Sequence, residues 1–280
     1  MAALAEMLVE IFSFAFMVRA IVVGLLVSLC AALLGVNLVL KRYAMIGTGL
    51  SNVGFAAMAI AGIFDLAPLA MSMPIVVAAA FLLLRLNDDS KVRGDSAVAL
   101  ISTSGLAVGV IITAMTTGIT LHICNVMFGS IFAMAQADMY VSVALSVVVI
   151  GLFVFFYKQL FAVTYDESFA RATGTKVEVY KSLLAILTAV TVVVGMRMMG
   201  ALLISALTLF PALSAMRLCK RFLSVVIASA IIGVTCFFVG MLFSFALDLP
   251  PGASVVGVNL ALFAVLSIIA AARRGGIAAA

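Results

Sequence analysis

Thr48, Ser51 and Asn52 are the side chains best placed to do chemistry in a chain that is otherwise strongly apolar. They fall at i, i+3 and i+4, so a helix presents all three on one face. Gly47, Gly49 and Gly54 surround them and let another backbone approach. Hydroxyl and carboxamide oxygens are neutral donors, able to hold a cation weakly or to hydrogen-bond across helices. A pathway lining and polar packing between helices are both open readings of this stretch. Met196, Met198 and Met199 form a second cluster. Thioethers bind soft ions such as Cu(I), and methionine equally fills gaps between apolar helices. Beyond these, the inventory is thin. His122 is the only histidine, and Asp65, Asp95, Asp138 and Asp248 all sit at the edges of apolar runs. Cys30, Cys124, Cys219 and Cys236 show neither metal-type nor disulfide-type spacing and read as small packing residues. No nucleophile–base pair and no G-x-x-x-x-G-K-[ST] phosphate loop is present. An enzyme is therefore not expected. A proton-driven carrier, which needs a titrating group inside the membrane, is also disfavoured.

The elements that position these residues follow from composition. The 280 residues are 66% hydrophobic and only 10% charged, with mean hydropathy +1.38. A soluble domain carries about 25% charged residues, so lipid must be the solvent for most of this chain. Long continuous apolar runs, rather than alternation, select helices over a β-barrel. The expected fold is all-α: a single polytopic membrane domain over 1–280 with eight or nine crossing helices. Nine spans are read at 17–40, 45–64, 68–86, 96–116, 138–157, 182–196, 200–216, 223–247 and 254–272. Residues 1–16 read as an amphipathic segment on the surface, and 121–135 as a short re-entrant or interfacial piece. Glu6 and Glu10 precede the first apolar run where a cleavable leader would carry basic residues, so that run is expected to be retained.

Charge placement sets the orientation. With the N-terminus outside and the C-terminus inside, every Lys and Arg of the 16 except Arg19 and Arg197 falls in an internal connection. The net charge of +5 is thus a topology signal and not a sign of nucleic-acid binding. Two internal connections are large, 158–181 and 211–222. The first is polar and carries both signs, with Thr164 or Asp166 as a helix cap before ESFARA and Gly174 as its stop. It reads as a solvated loop or as a docking surface for a cytoplasmic partner. In the second, Pro211 interrupts an apolar run and a basic amphipathic stretch follows, readable as a helix lying along the inner face. GMRMMG at 195–200 reads as a break between two short spans, bracketed by Gly195 and Gly200, able to line a cavity. GLAVG at 105–109 offers a small-residue packing face.

Six segments, in order, resemble the ABC-3 family of membrane permeases, subunits of importers for zinc, manganese or iron. LLGVNLVLKRYAMIGTGLSN (33–52) is similar to the family's Leu-Gly-x-x-Leu-Val-Leu-Arg-Arg-x-x-Leu-x-Gly-Asp-x-x-Ser-His segment. GDSAVALISTSGLAVGVII (94–112) resembles its acidic start to a Gly-rich span, and FGSIFAM (128–134) its Phe-Gly-Ser-Ile-Leu piece. TYDESFARATG (164–174) resembles its Phe-Asp-x-x-x-Ala-Arg-x-x-Gly loop. VGMRMMGALLISALTLFPALSA (194–215) and DLPPGASVV (248–256) are similar to its Pro-Ala segment and to its approach to the last span. The resemblance implies a plasma-membrane permease that imports a divalent metal as cargo and binds no cofactor. It implies a second permease copy, a cytoplasmic ATPase and an external metal-binding protein as partners. It implies that the segment after the Pro-Ala motif couples to the ATPase, which here involves Pro211, Ala212, Ser214, Arg217, Lys220 and Arg221. Asp166, Glu167 and Arg171 are a second candidate cytoplasmic contact. Where the family carries Asp and His, this chain has Thr48 and Asn52, while Ser51 is retained. Both replacements are poorer ligands for a transition metal. Either transit sites need bind only weakly, or the cargo is altered. A partner-independent carrier or channel is the competing expectation.

Overall fold

The computed structural model describes residues 15–64, 67–88, 94–115 and 136–278. The expected surface segment 1–16 falls almost wholly outside them, and the expected re-entrant piece 121–135, with His122 and Cys124, lies entirely outside. Eleven helices occur among the described residues: α1 Ala15–Leu40, α2 Ile46–Ile63, α3 Pro68–Asp88, α4 Gly94–Met115, α5 Gln136–Phe155, α6 Tyr157–Tyr165, α7 Glu167–Ala172, α8 Val177–Met199, α9 Ala201–Leu218, α10 Phe222–Leu247 and α11 Pro251–Ala278. Eight of these (α1–α4 and α8–α11) are long and apolar enough to cross a membrane. A ninth crossing is available if α5 and α6, bent by 69° at Phe156, are counted together. The all-helical, multi-pass expectation therefore holds.

α1 and α8 form the centre of the bundle. α1 packs against α5, α8, α9 and α10, while α2 packs against α3, α4 and α9. α11 covers α9 and α10 and keeps Leu260, Val265 and Ile268 exposed on its outer side. Such apolar faces are stable in hydrocarbon, so association between helices needs close packing. Glycine supplies it. A Cβ on Gly35 of α1 would sit 2.0 Å from the Thr208 carbonyl oxygen of α9. Gly105 and Gly109 of α4 lie against Val53 and Phe55 of α2, as the small-residue face 105–109 suggests.

Two expectations about the second half are corrected. The spans drawn at 182–196 and 200–216 are full-length helices, and Gly195 does not break α8. Gly195 lies within α8 because Ile204 and Val27 occupy the space its side chain would need. Gly200 alone separates α8 from α9, with φ 87° and ψ 160°, a conformation open essentially to glycine. α8 also begins earlier than its apolar run, at Val177, with Glu178 in the first turn where the helix dipole favours an acidic group. The second correction concerns Pro211. α9 runs through it to Leu218, so the residues after Pro211 continue the span and do not start a surface helix. A proline in a membrane helix forgoes one backbone hydrogen bond, which neighbouring hydroxyls and helices can offset.

The glycine contacts lead to an expected outcome. Gly35→Ala forces a methyl group into the Thr208 backbone and should lower stability by about 1–3 kcal/mol. Gly257→Ala, where nothing lies within 4 Å, should leave it unchanged or slightly raised. Thermal unfolding of both purified variants in detergent checks this; equal melting temperatures would refute the close-contact account.

Candidate functional site

The polar stretch of α2 is wedged between α4 and α9. Ser51 is buried; its Oγ donates to the Thr48 carbonyl at 2.9 Å and lies 3.5 Å from Ser205 Oγ on α9. Asn52 is half-buried and points the other way, its Nδ2 donating to Ser102 Oγ of α4 at 2.8 Å. Thr48 is half-buried one turn earlier. The three residues share a helix face, but their hydrogen bonds divide between two neighbours. Asn52 thereby commits its N–H donor to Ser102, and its carbonyl oxygen is the atom suited to a cation. Ser102, Ser205 and Thr208 extend the patch onto α4 and α9. Thr208 Oγ1 lies where a Cβ on Gly47 would come within 2.9 Å. The hydroxyls of Ser205 and Thr208 also bond back to carbonyls of their own helix, which lowers the cost of carrying them in a membrane. Among the described residues no group of three His, Cys, Asp or Glu side chains gathers as a metal site. The patch offers neutral oxygens, a donor set suited to weak and transient cation contact. Met196 and Met199 are buried against Gly54 and Gly24, so this part of the methionine cluster fills the core.

At the end of the bundle where α1, α7 and α8 meet, a second constellation forms. Asp166 caps α7, its Oδ1 accepting from the Phe169 N–H at 3.0 Å. α7 ends in a Schellman turn: Gly174 at φ 82° donates to Arg171, and Thr175 donates to Ala170. Both the cap and the stop read from the sequence are therefore in place, Asp166 rather than Thr164 serving as cap. Thr164 instead donates to Asn37 Oδ1 of α1 at 3.1 Å. Glu167 is held between two lysines, 2.9 Å from Lys41 Nζ at the end of α1 and 2.8 Å from Lys181 Nζ in α8. The lysine side chains are 6% and 9% exposed, that of Glu167 38%. Burial alone would push the Glu167 carboxyl up, but hydrogen bonds and charge from Lys181 and Lys41 outweigh it and hold the group below its usual range. It is ionised at neutral pH, and the pairing is lost only as pH falls through that depressed value. Hydrogen bonds to charged groups contribute about 1.5–3 kcal/mol, with the lower end appropriate where water reaches the carboxylate. Arg171 pairs with Glu178 on the exposed surface at 2.6 Å.

The remaining sequence-derived candidates divide by burial. Pro211, Ala212 and Ser214 lie buried within α9, whereas Arg217, Lys220 and Arg221 are exposed where α9 turns into α10. Arg217 rests over the Phe263 ring at 5.8 Å. That turn borders α6, since Phe222 packs on Phe161 at 4.7 Å and on Tyr157 at 5.7 Å between ring centroids. α6 continues into α7, whose Phe169 is 64% exposed beside Tyr165 at 79%. Both segments thus belong to one end of the bundle. The sequence reading missed Ser102 and Ser205, although the Ser102–Ser104 run inside a span signalled polar contact. It also missed that Lys41, Glu167 and Lys181 converge, for which no local signal exists.

Comparison with known proteins matches this architecture. The manganese transport system membrane protein MntC of Halalkalibacterium halodurans is 25% identical over 255 residues, covering 91% of this chain and 87% of its own length. A probable iron transport system membrane protein of Haemophilus influenzae is 29% identical over 261 residues, covering 93% and 92%. Among solved structures, PsaBC from Streptococcus pneumoniae in complex with Fab superposes with a TM-score of 0.84 over 94% of this chain and 95% of that one, at 24% identity, a likeness of fold. The profile of the ABC 3 transport family matches residues 13–271. Spanning nearly its whole length with that match, this multi-pass plasma-membrane protein belongs to the ABC 3 transport family.

Proposed function

We propose that this chain is the permease subunit of an importer for divalent transition-metal ions, manganese or iron foremost, driven by ATP hydrolysis in a separate subunit. The observation that carries the reading is the family match over residues 13–271, to which manganese and iron transport relatives of near-equal length add the cargo class. A second permease copy and an external metal-binding protein complete the assembly, with the N-terminus outside and the C-terminus inside. No cofactor resides in this chain, and the metal is its substrate.

The ATPase docks on α7 together with the basic turn from Arg217 to Arg221. Asp166 and Arg171 bracket α7, and Phe169 and Tyr165 beside it offer exposed rings. Buried Pro211, Ala212 and Ser214 are internal supports of that end and do not touch the partner. In a variant lacking native cysteines, crosslinks to the ATPase should form from Phe169→Cys and Arg171→Cys and more weakly from Lys220→Cys. Crosslinks from 217–221 alone would move the dock to the α9–α10 turn.

Thr48, Ser51 and Asn52 of α2, with Ser102 and Ser205 beside them, line the pathway. Their neutral oxygens give the metal a weak, water-completed foothold, so selectivity rests on the external binding protein. Asn52→Leu removes one oxygen and should cut uptake by about tenfold, the worth of one hydrogen bond or ligand contact of roughly 1.4 kcal/mol, with ATPase assembly intact. Asn52→His combined with Thr48→Asp should tighten zinc or manganese binding in the pathway. Uptake by Asn52→Leu at the normal rate, measured with radioactive metal in proteoliposomes, would reduce this face to helix packing.

A further inference from the structure

We propose that Glu167 is a positioning residue that ties the ATPase-docking helix α7 to the translocation helices, so that movement of α7 reaches the metal pathway through Lys41 and Lys181. The proposal rests on the docking reading above and names how that dock communicates.

Several observations carry it. α7 is a six-residue helix outside the membrane-spanning segments, and its first residue is Glu167. One carboxylate oxygen of Glu167 meets Lys41 and the other meets Lys181, so a single side chain bridges α7 to the turn after α1 and to α8. Both lysine side chains are almost wholly buried. Glu167 itself is 38% exposed, so the bridge is buried on its lysine side only, and it is there that salt and water screen the charges less than at a fully exposed pair. By contrast, the Arg171–Glu178 pair is mostly exposed at both partners and can rearrange freely. The bridge is therefore the stiff ionic link of α7, and Arg171–Glu178 the loose one.

Its two anchors are also the ones a transmission device needs. Lys41 stands at the junction of α1 and α2: Lys41 N–H bonds to Asn37, Tyr43 N–H to Leu38, and Ile46 N–H to Tyr43, folding the connection tightly. Thr48 lies seven residues beyond Lys41, in the first turn of α2. Lys181 lies near the start of α8, whose Met196 packs over Gly54 of α2 just past Asn52. The same carboxylate thus reaches the polar patch by two routes, from below through the α1–α2 turn and from the side through α8. The Thr164–Asn37 hydrogen bond runs parallel to the first route. Ion pairs and packed side chains between rigid helices are the kind of contact through which coupling between sites is carried.

The experiment uses the complete permease with its ATPase and binding protein in proteoliposomes, comparing Glu167→Gln and Glu167→Asp with wild type. Glu167→Gln keeps the shape and loses the charge. The expected result is that, in whatever amount of complex assembles, metal uptake per ATP hydrolysed falls by about tenfold, within the range of ordinary coupling between sites. Glu167→Asp should recover much of the loss. In parallel, spin labels at Ser168→Cys and Leu40→Cys in the permease alone read the link directly: the distance distribution should be narrow in wild type and broad with Glu167→Gln. Uptake and hydrolysis falling together, in proportion to the complex recovered, would make Glu167 merely structural and overturn the proposal, as would unchanged uptake per ATP or an unbroadened distance. A wild-type permease that assembles with no ATPase would instead remove the docking reading, and this proposal with it, while the distance measurement still reported the bridge.

Discussion

Thr208 is where three helices of the bundle meet, and the placement of the polar patch depends on it. Its carbonyl faces Gly35 of α1, and its hydroxyl faces Gly47 of α2. The first approach is closed to any residue with a side chain, and the second would require the Thr208 hydroxyl to move. In lipid the apolar surface of a helix gains little by leaving its surroundings, so contact of this closeness supplies dispersion and fixes register in place of a hydrophobic drive. With α1 and α2 both registered on α9 at one residue, Ser51 comes opposite Ser205 one turn away. The oxygens of the patch are therefore positioned by glycines on two other helices as much as by their own sequence.

The energetic character changes along the bundle. At the level of the patch all donors and acceptors are neutral, and the hydroxyls of Ser51, Ser205 and Thr208 each have a carbonyl of their own helix as a standing partner. At the end that carries Lys41, Glu167 and Lys181 the groups are ionised, and aromatic rings gather at Phe156, Tyr157, Phe161, Tyr180 and Phe222. Rings of this kind suit the headgroup level, where one edge is apolar and the other wet. The 69° bend between α5 and α6 occurs within this belt. Charge and aromaticity thus concentrate where water is near, and the membrane interior retains only groups that tolerate the absence of water.

Much of this was legible in the sequence. Apolar run length gave eight crossings and the α5 segment, because a helix in hydrocarbon must satisfy its backbone internally and its length is set by bilayer thickness. The Asp166 cap and the Gly174 stop were legible because capping is a local interaction. Two local signals misled. Gly195 looks like a breaker in sequence, yet it is a packing site for Ile204 and Val27. Pro211 looks like a turn, yet the surrounding helices carry α9 through it. The sharing of Glu167 by Lys41 and Lys181 was not legible: Lys41 is 126 residues away, and only the packing of α1 beside α8 brings the two cations to one carboxylate. Thr48, Ser51 and Asn52 were visible as one face, but their division between α9 and α4 depends on which neighbours flank α2.

Gly200 joins α8 to α9 with no loop at all, and this has a mechanical consequence. Two helices linked by one residue are tied together at that end, and their relative freedom there reduces to pivoting about Gly200. Lys181 lies 18 residues down α8 from Met199, a lever of roughly 27 Å at the helical rise. Each degree of rotation at the pivot displaces the level of Lys181 by about 0.5 Å on that geometry. The hairpin is a long arm on a short hinge, and small rotations at the Gly200 end amount to ångström-scale shifts at the Lys181 end.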